Sequence, residues 1–286
     1  MRRIGRVVAL GAVALGAVAV LAGCGASEEP ATSPSPSSTA SSTPSPTAPP
    51  LSLVAIGDSI PFNSKDDCPN CTAFVYQYGD ALAKATGRGV RPNNLSDHTG
   101  LTLPRLLDNL DSLSKDLAAA DAIIVGIAHN SIELGTDTPC GSAFDPATGA
   151  LKDWTKVDQA CATRSAAASR PGYDALFTKV AAQRVGKPTI LIALNKYNDW
   201  VGSSTLGLTA DQAKRTVLIH DAWSAMICDS AKAHEFSCAD IYHAFNGPTG
   251  DKPSGDLLAD DYTHPSQKGN DEIAKVLVDL GFAPLA

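Results

Sequence analysis

The folded part of the chain opens with the run Leu51-Ser52-Leu53-Val54-Ala55-Ile56-Gly57-Asp58-Ser59-Ile60. Its first six residues are rich in Leu, Val and Ile and lack a clean polar alternation, which is typical of a strand buried on both faces of a parallel sheet. Gly57 and Asp58 then favour a turn. The run therefore predicts the first strand of an α/β domain, with Ser59 just past its carboxyl end.

Apolar runs and helical stretches alternate along the rest of the domain. The predicted strands are Leu51–Ile56, Gly89–Leu95, Ala122–Ile127, Thr189–Leu194 and Ser237–Tyr242. The predicted helices are Ala73–Thr86, Leu103–Ala119, Tyr173–Gln183, Ala210–His234 and Gln267–Leu280. This alternation predicts a three-layer α/β/α sandwich with a central parallel sheet of about five strands, which binds ligands at the carboxyl ends of its strands.

Local signals refine the ends of these elements. Thr209 and Ser266 are predicted N-caps, and Gly87 and Gly281 are predicted C-terminal stops. The stretch Thr136–Pro171 contains two cysteines, several Gly and Pro residues and a tryptophan. We expect it to be a long ordered loop that serves as a lid or a pocket wall.

The N-terminus has the pattern of a targeting segment. A positive start with Arg2 and Arg3 precedes an apolar stretch that ends in Leu21-Ala22-Gly23-Cys24. That ending resembles a bacterial lipobox, which implies a signal peptide over residues 1–23, cleavage before Cys24 and a lipid on its thiol. The alternative is an uncleaved membrane anchor, for which the run is short. Both interpretations place the folded body outside the cytoplasmic membrane.

The remaining chain divides into a tether and one domain. Residues 24–50 comprise the lipidated cysteine and a segment of mostly Ser, Thr, Pro and Ala, which predicts a disordered tether. Residues 51–286 are long enough to bury one sizeable core. The chain has 23 basic and 30 acidic residues, and loss of the signal removes three arginines, which gives a net charge of about −10. An acidic domain without basic clusters argues against nucleic acid as a partner.

Six cysteines remain after Cys24. An even number in an exported domain predicts three disulfides, for which the sequence alone allows 15 connectivities. Pairing of sequence neighbours is the expected pattern, because each pair brackets a local loop or turn: Cys68–Cys71, Cys140–Cys161 and Cys228–Cys238. The Cys68-Pro69-Asn70-Cys71 segment could also be a redox motif or half of a metal site, but no second Cys-x-x-Cys accompanies it.

A second motif, Asp261-Tyr262-Thr263-His264, follows about 200 residues after Ser59. A serine hydroxyl needs a base to become a nucleophile, and His264 can be that base while Asp261 orients the imidazole ring. A simple turn at Gly57–Ser59, a capping role for Ser59 and a helix-entry role for His264 are the structural alternatives. Asp260 is an alternative partner for His264. The order and spacing of both motifs favour catalysis.

These residues resemble the GDSL or SGNH hydrolase family. Its first block matches Gly57, Asp58 and Ser59, and its last block matches Asp261 and His264. The glycine of its second block is best matched by Gly100. Its third block, Gly-x-Asn, falls on Ala128-His129-Asn130, where an alanine replaces the glycine.

The resemblance implies a flavodoxin-like fold and an acyl-enzyme mechanism that needs no cofactor and no metal. It implies Ser59 as nucleophile, His264 as general base and Asp261 as its orienting carboxylate. The oxyanion hole would consist of the backbone N–H groups of Ser59 and Gly100 and the side-chain amide of Asn130.

Other polar and aromatic residues have open roles. His98 and His129 flank the predicted site, and Asn195, Tyr197 and Asn198 follow the fourth strand, where they bind substrate or stabilise the loop. Three further histidines have no metal-ligand spacing: His220, His234 and His243. Three tryptophans either line a sugar or lipid site or belong to the core or a surface loop: Trp154, Trp200 and Trp223.

The sequence thus predicts a membrane-tethered, extracytoplasmic serine ester hydrolase. The expected partners are an ester substrate, in the form of a short acyl ester, an acetylated glycan or a lipid, and the membrane through Cys24. Two alternatives stay open: an acyltransferase that uses the same residues, and a non-catalytic module that binds the cell envelope. The sequence does not determine the oligomeric state.

Overall fold

The central element of the computed structural model, which describes residues 48–132, 153–204 and 206–286, is a five-stranded parallel sheet. Its strands are β1 (Leu51–Gly57), β2 (Val90–Asn94), β3 (Ala122–Gly126), β4 (Ile190–Leu194) and β5 (Ser237–Ala239). Their spatial order is β2-β1-β3-β4-β5, and each neighbouring pair is parallel. This is the flavodoxin-like order, so the predicted fold class is confirmed.

Eight α-helices are found in the described part of the chain. They are α1 (Ser59–Phe62), α2 (Phe74–Thr86), α3 (Leu103–Asn109), α4 (Ser114–Ala119), α5 (Gln159–Ala182), α6 (Ala210–Ala233), α7 (Ile241–Asn246) and α8 (Gln267–Asp279). Short 3₁₀ turns cover Leu110–Leu113, Trp154–Lys156 and Gly255–Leu257. All described residues belong to one compact unit, Pro46–Ala286. No helix among the described residues is long and apolar enough to cross a membrane.

Two apolar cores lie on opposite faces of the sheet. Val54 and Ile56 of β1 belong to the core that is covered by α3, α4, α5 and α6. Leu53 and Ala55 of the same strand belong to the core that is covered by α2, α7 and α8. Because successive side chains of a strand point to opposite faces, a strand buried on both faces is apolar throughout. This explains the pattern of residues 51–56.

The structure corrects three predictions. The last part of the predicted loop Thr136–Pro171 is the first half of α5, a helix that begins at Gln159 and has Pro171 inside it, while residues 136–152 of the predicted loop lie outside the described residues. Its buried positions there are small, Cys161, Ala162, Ser165 and Ala166, so they lack an obvious apolar pattern. A proline in a helix removes a hydrogen bond, and packing against α6 offsets that loss.

The other two corrections concern element ends. The predicted helix Leu103–Ala119 is divided by the 3₁₀ turn Leu110–Leu113 into α3 and α4. The predicted strand Ser237–Tyr242 stops at Ala239, because the Asp240 side chain accepts a hydrogen bond from the N–H of His243 and caps α7.

The predicted helix caps and two of the predicted disulfides are present in the structure. The hydroxyl of Thr209 and the Gln212 side chain form a reciprocal capping box, and Ser266 caps α8 through the N–H of Gly269. Gly87 and Gly281 have positive φ angles at the ends of α2 and α8. Two of the predicted disulfides are present, Cys68–Cys71 and Cys228–Cys238. Cys161 is also disulfide-bonded, while Cys140, its predicted partner, and Cys24 lie outside the described residues.

Candidate active site

The turn after β1 depends on a close approach of two strands. Gly57 has a φ of +150°, and a Cβ atom there would lie 1.8 Å from the carbonyl oxygen of Gly126 at the end of β3. The N–H of Asp58 donates to the same oxygen at 3.0 Å. Only glycine permits this contact, which fixes where the chain leaves the sheet.

The carboxylate of Asp58 joins this turn to the loop after β3. It accepts hydrogen bonds from the N–H groups of Ile60 at 3.0 Å, Ala128 at 3.0 Å and His129 at 2.8 Å. Asp58 is 1% exposed and is the N-cap of α1. Its role is therefore structural, and it, rather than Ser59, caps the helix.

Ser59 is the first residue of α1, at the carboxyl edge of the sheet. As a first-turn residue it has a backbone N–H without an intrahelical acceptor. The residue as a whole is 8% exposed. The Asn94 side chain at the end of β2 donates to the carbonyl of Pro61 in α1 at 2.5 Å, which connects the helix to this strand.

The loop that carries His264 holds its imidazole against Asp261. Nδ1 of His264 lies 2.5 Å from Oδ2 of Asp261, and the other carboxylate oxygen accepts from the backbone N–H groups of Thr263 and His264. Partial burial alone would raise the pKa of Asp261, but these hydrogen bonds outweigh it and lower the pKa of this carboxyl group. The carboxylate is therefore ionised at neutral pH and selects the tautomer with hydrogen on Nδ1.

Buried groups fix this loop to the domain. The hydroxyl of Tyr197 donates to the carbonyl of Thr263 at 2.6 Å. The amide of Asn270, which is fully buried in α8, donates to the carbonyl of Pro265 and to Oδ1 of Asn63, the residue after α1. The Asn270 side chain thus connects the end of the helix of Ser59 to the loop of His264.

Nε2 of His264 is buried and has no hydrogen-bond partner within the part of the chain that the structure describes. The structure therefore brings Asp261 and His264 into contact, but it contains no hydrogen bond between His264 and the Ser59 hydroxyl. In enzymes without substrate this bond is often long, and it shortens in the substrate complex.

A second carboxylate near His264 was not predicted from the sequence. Oδ2 of Asp67 lies 3.5 Å from Nδ1 of His264. Asp67 is about 200 residues from the Asp-x-x-His motif, and no local pattern connects the two.

The third family block lies beside the second. Ala128, which stands where the family has glycine, does not have a positive φ, so its side chain causes no backbone strain. The Asn130 amide donates to the carbonyl of Leu101 at 3.3 Å, directly after Gly100, which has a φ of +76° in an exposed turn. Asn130 and the Gly100 turn therefore meet at the same edge of the sheet.

A buried charged cluster lies behind Asn130. Nε2 of His129 is 3.2 Å from Asp199, whose other carboxylate oxygen is 2.6 Å from Nζ of Lys196. Nζ also lies 3.1 Å from Nε2 of His220. Burial would raise the pKa of Asp199, but the Lys196 charge and His129 outweigh it, and the pKa is lowered. Burial, together with the Lys196 charge, lowers the pKa of His220 to about 3.

The polar residues after β4 are structural. The Asn195 amide donates to Asp240, and Asn198 and Asn246 exchange hydrogen bonds in the protein interior. Tyr197 and Trp223 are also fully buried. These side chains therefore stabilise the loops and the core and are not available to contact a substrate.

His98 has a different environment. Its ring stacks on that of Phe62 at a centroid distance of 4.6 Å. Both rings line an open cleft of about 720 Å³ between the β2 loop and the start of α2, together with Asn94 and Tyr76. His98 therefore shapes the surface next to α1.

A family model for GDSL-like lipases and acylhydrolases matches residues 55–272 of the chain. The chain belongs to the GDSL-like lipase/acylhydrolase family. As a member of this family it is an ester hydrolase, which argues against the non-catalytic alternative. A comparison with curated protein sequences gives no match.

Solved structures of GDSL-type and related enzymes share the fold. A lipase from a goat rumen metagenome superposes with a TM-score of 0.62 at 16% identity, over 82% of this chain and 100% of the other. A phospholipase A1 from Streptomyces albidoflavus gives 0.53 at 17% identity, over 82% and 100%. An acetyl xylan esterase from Geobacillus stearothermophilus gives 0.51 at 18% identity, over 82% and 97%. At these identities the likeness concerns the fold alone.

The buried His220 predicts acid sensitivity for this family member. An unfolded histidine binds a proton near pH 6.5, whereas folded His220 has a pKa of about 3. Its contribution to stability is therefore complete above pH 6.5 and is lost as the pH falls from 6.5 toward 3, by up to about 1.4 kcal/mol per pH unit. We expect the His220→Gln variant to have a smaller slope. Urea unfolding between pH 4.5 and 7 measures it, and equal slopes would contradict the assignment.

Proposed function

We propose that this ester hydrolase acts through a Ser59 nucleophile, with His264 as general base and Asp261 as its orienting carboxylate. The observation that carries the proposal is the contact of 2.5 Å between Asp261 and Nδ1 of His264, which leaves Nε2 as the basic nitrogen. Asn270 connects Asn63, the residue after the helix of Ser59, to the loop of His264, so the proposed nucleophile and base stand on elements that are joined by a buried side chain.

The proposed cycle has two halves. Nε2 of His264 takes the proton of the Ser59 hydroxyl while the oxygen attacks the ester carbonyl. The resulting imidazolium then gives this proton to the departing alcohol, and the acyl group remains on Ser59. A water molecule loses a proton to Nε2 and attacks the acyl-enzyme, and Ser59 recovers its proton as the acid leaves.

The developing oxyanion needs donors that are fixed in advance. The N–H of Ser59 is oriented by the first turn of α1, and the Asn130 amide retains a second hydrogen beside the one that faces Leu101. The N–H of Gly100 lies next to Leu101 in the same loop. We assign these three groups to the oxyanion hole, where each donor contributes more to the transition state than to the substrate complex.

The proposed location is the extracytoplasmic face of the membrane. The pattern Leu21-Ala22-Gly23-Cys24, the Ser/Thr/Pro-rich tether and the disulfides of the domain support export and a lipid anchor at Cys24. The solved structures with the same fold include enzymes named as a lipase, a phospholipase and an acetyl xylan esterase. We therefore propose short acyl esters, acetylated glycans and lipids as the substrate classes to compare.

Replacement of the nucleophile tests the central assignment. We expect Ser59→Ala to reduce the turnover of p-nitrophenyl acetate, butyrate and octanoate by more than roughly 10⁴-fold, because no other group can form the acyl-enzyme. The exposed Ser112→Ala change is the matched control and should leave the rate unaltered. Retained turnover in Ser59→Ala would overturn the assignment. An acceptor alcohol added to the same assay distinguishes acyl transfer from hydrolysis.

Replacement of the amide tests the oxyanion hole. We expect Asn130→Ala to lower kcat by roughly 10²–10³-fold with a small change in KM, since the donor acts in the transition state. Asn130 is exposed and its amide makes one long hydrogen bond within the described residues, so the melting temperature should change little. An unchanged kcat would reject the role of Asn130.

Replacement of Cys24 tests the anchor. In a bacterial host that processes lipoproteins, we expect the full chain to partition with membranes and to take up a labelled fatty acid. Cys24→Ala should lose the label, because the modified thiol is absent, while Ser38→Ala in the tether should keep it. A wild-type chain without label would contradict the lipoprotein assignment.

A further inference from the structure

The carboxylate of Asp67 lies beside the imidazole of His264. Its Oδ2 is 3.5 Å from Nδ1, compared with 2.5 Å for Oδ2 of Asp261. The Asp67 side chain is 25% exposed and that of Asp261 is 37% exposed, so the more distant carboxylate is better shielded from water. Because shielding strengthens a charge interaction, this distance is short enough for the Asp67 carboxylate to interact with a charged ring.

A compact turn fixes the position of Asp67. The N–H groups of Asp67 and Cys68 both donate to the carbonyl of Ser64, at 3.2 and 3.1 Å. The N–H of Asp66 donates to the Ser64 hydroxyl at 3.0 Å. The disulfide to Cys71 closes the following residues. The carboxylate therefore stands on a constrained backbone.

Both ends of this turn are attached to α8, which begins three residues after His264. Oδ1 of Asn63 accepts from the Asn270 amide at 2.9 Å, and the N–H of Thr72 donates to Oε1 of Gln267 at 2.8 Å. Residues 63–72 therefore bridge the helix of Ser59 and the loop of His264. This attachment holds Asp67 at a fixed distance from the imidazole of His264.

We propose that Asp67 is a second positioning residue for His264, which stabilises the imidazolium together with Asp261. The inference rests on the proposed function, in which His264 is the base. Nδ1 has one hydrogen and donates it to Asp261, so Asp67 acts through its charge while Asp261 is present. When Asp261 is replaced, Asp67 becomes the carboxylate that orients the ring. No bond is made or broken at Asp67, and Nδ1 keeps its proton throughout.

Two single variants and their combination test the proposal in the full-length exported protein. We expect Asp67→Asn to lower kcat roughly 3- to 10-fold with an unchanged KM for p-nitrophenyl acetate. In the Asp261→Asn background, the loss in kcat caused by Asp67→Asn should be on the order of tenfold larger than in the wild type, because no carboxylate then faces Nδ1. Asp66→Asn, an equal charge change at an exposed neighbour in the same turn, is the control and should alter kcat less than twofold.

A spectroscopic readout separates positioning from a general effect on folding. The NMR resonance of the His264 Nδ1 proton should shift in Asp67→Asn and stay in place in Asp66→Asn. Thermal melting tests the fold of each variant, and Asp67→Ser replaces Asp67→Asn if the latter is unstable. Assays contain EDTA, because the ligand atoms of Asp67, Asp261 and His264 lie within 4.8 Å of one another and could bind a divalent cation.

The outcomes distinguish this inference from the proposed function. If Asp67→Asn matches Asp66→Asn in rate and resonance, and the double variant matches Asp261→Asn, then the role of Asp67 is wrong. Ser59→Ala and His264→Ala are measured beside them. If those two variants retain turnover, the proposed function fails first, whatever the result at Asp67.

Discussion

The arrangement of the site depends on the buried carboxylate of Asp58. It is the acceptor for three backbone N–H groups, one in its own helix and two in the loop after β3. A carboxyl group without such donors would be costly to bury, so the buried position of Asp58 depends on these three hydrogen bonds. The Asp58 side chain therefore joins the loop of Asn130 to the first turn of Ser59. The contact of Gly57 with Gly126 sets the distance at which this can occur.

The His264 side of the site is held from a different direction. Asn270 reaches from α8 to Asn63 after α1, and Tyr197 reaches from the β4 loop to the carbonyl of Thr263. Burial raises the pKa of Tyr197 well above its ordinary value, so its hydroxyl remains a donor. Groups that lie about 200 residues apart in the sequence thus converge through buried polar contacts rather than through the sheet alone.

Much of this could be predicted from the sequence, because the decisive patterns are local. The apolar run before Gly57, the Asp-x-x-His spacing and the Thr209 capping box each depend on neighbouring residues. The first half of α5 was missed because its buried face is made of Cys, Ala and Ser and because Pro171 indicates a helix end. Asp67 was missed because its contact with His264 is made only by the tertiary fold.

The buried Lys196–Asp199 pair illustrates why polar groups persist in such a core. The attraction between the two charges is largely offset by the loss of their hydration, so the pair by itself contributes little net stability. Its geometric effect is larger, because Asp199 also contacts the ring of His129 at 3.2 Å. Asp58 consequently holds the backbone of Ala128 and His129, and Asp199 holds the His129 ring, directly before Asn130. The backbone that carries Asn130 is thus fixed before the reaction begins, as the proposed oxyanion role of its amide requires.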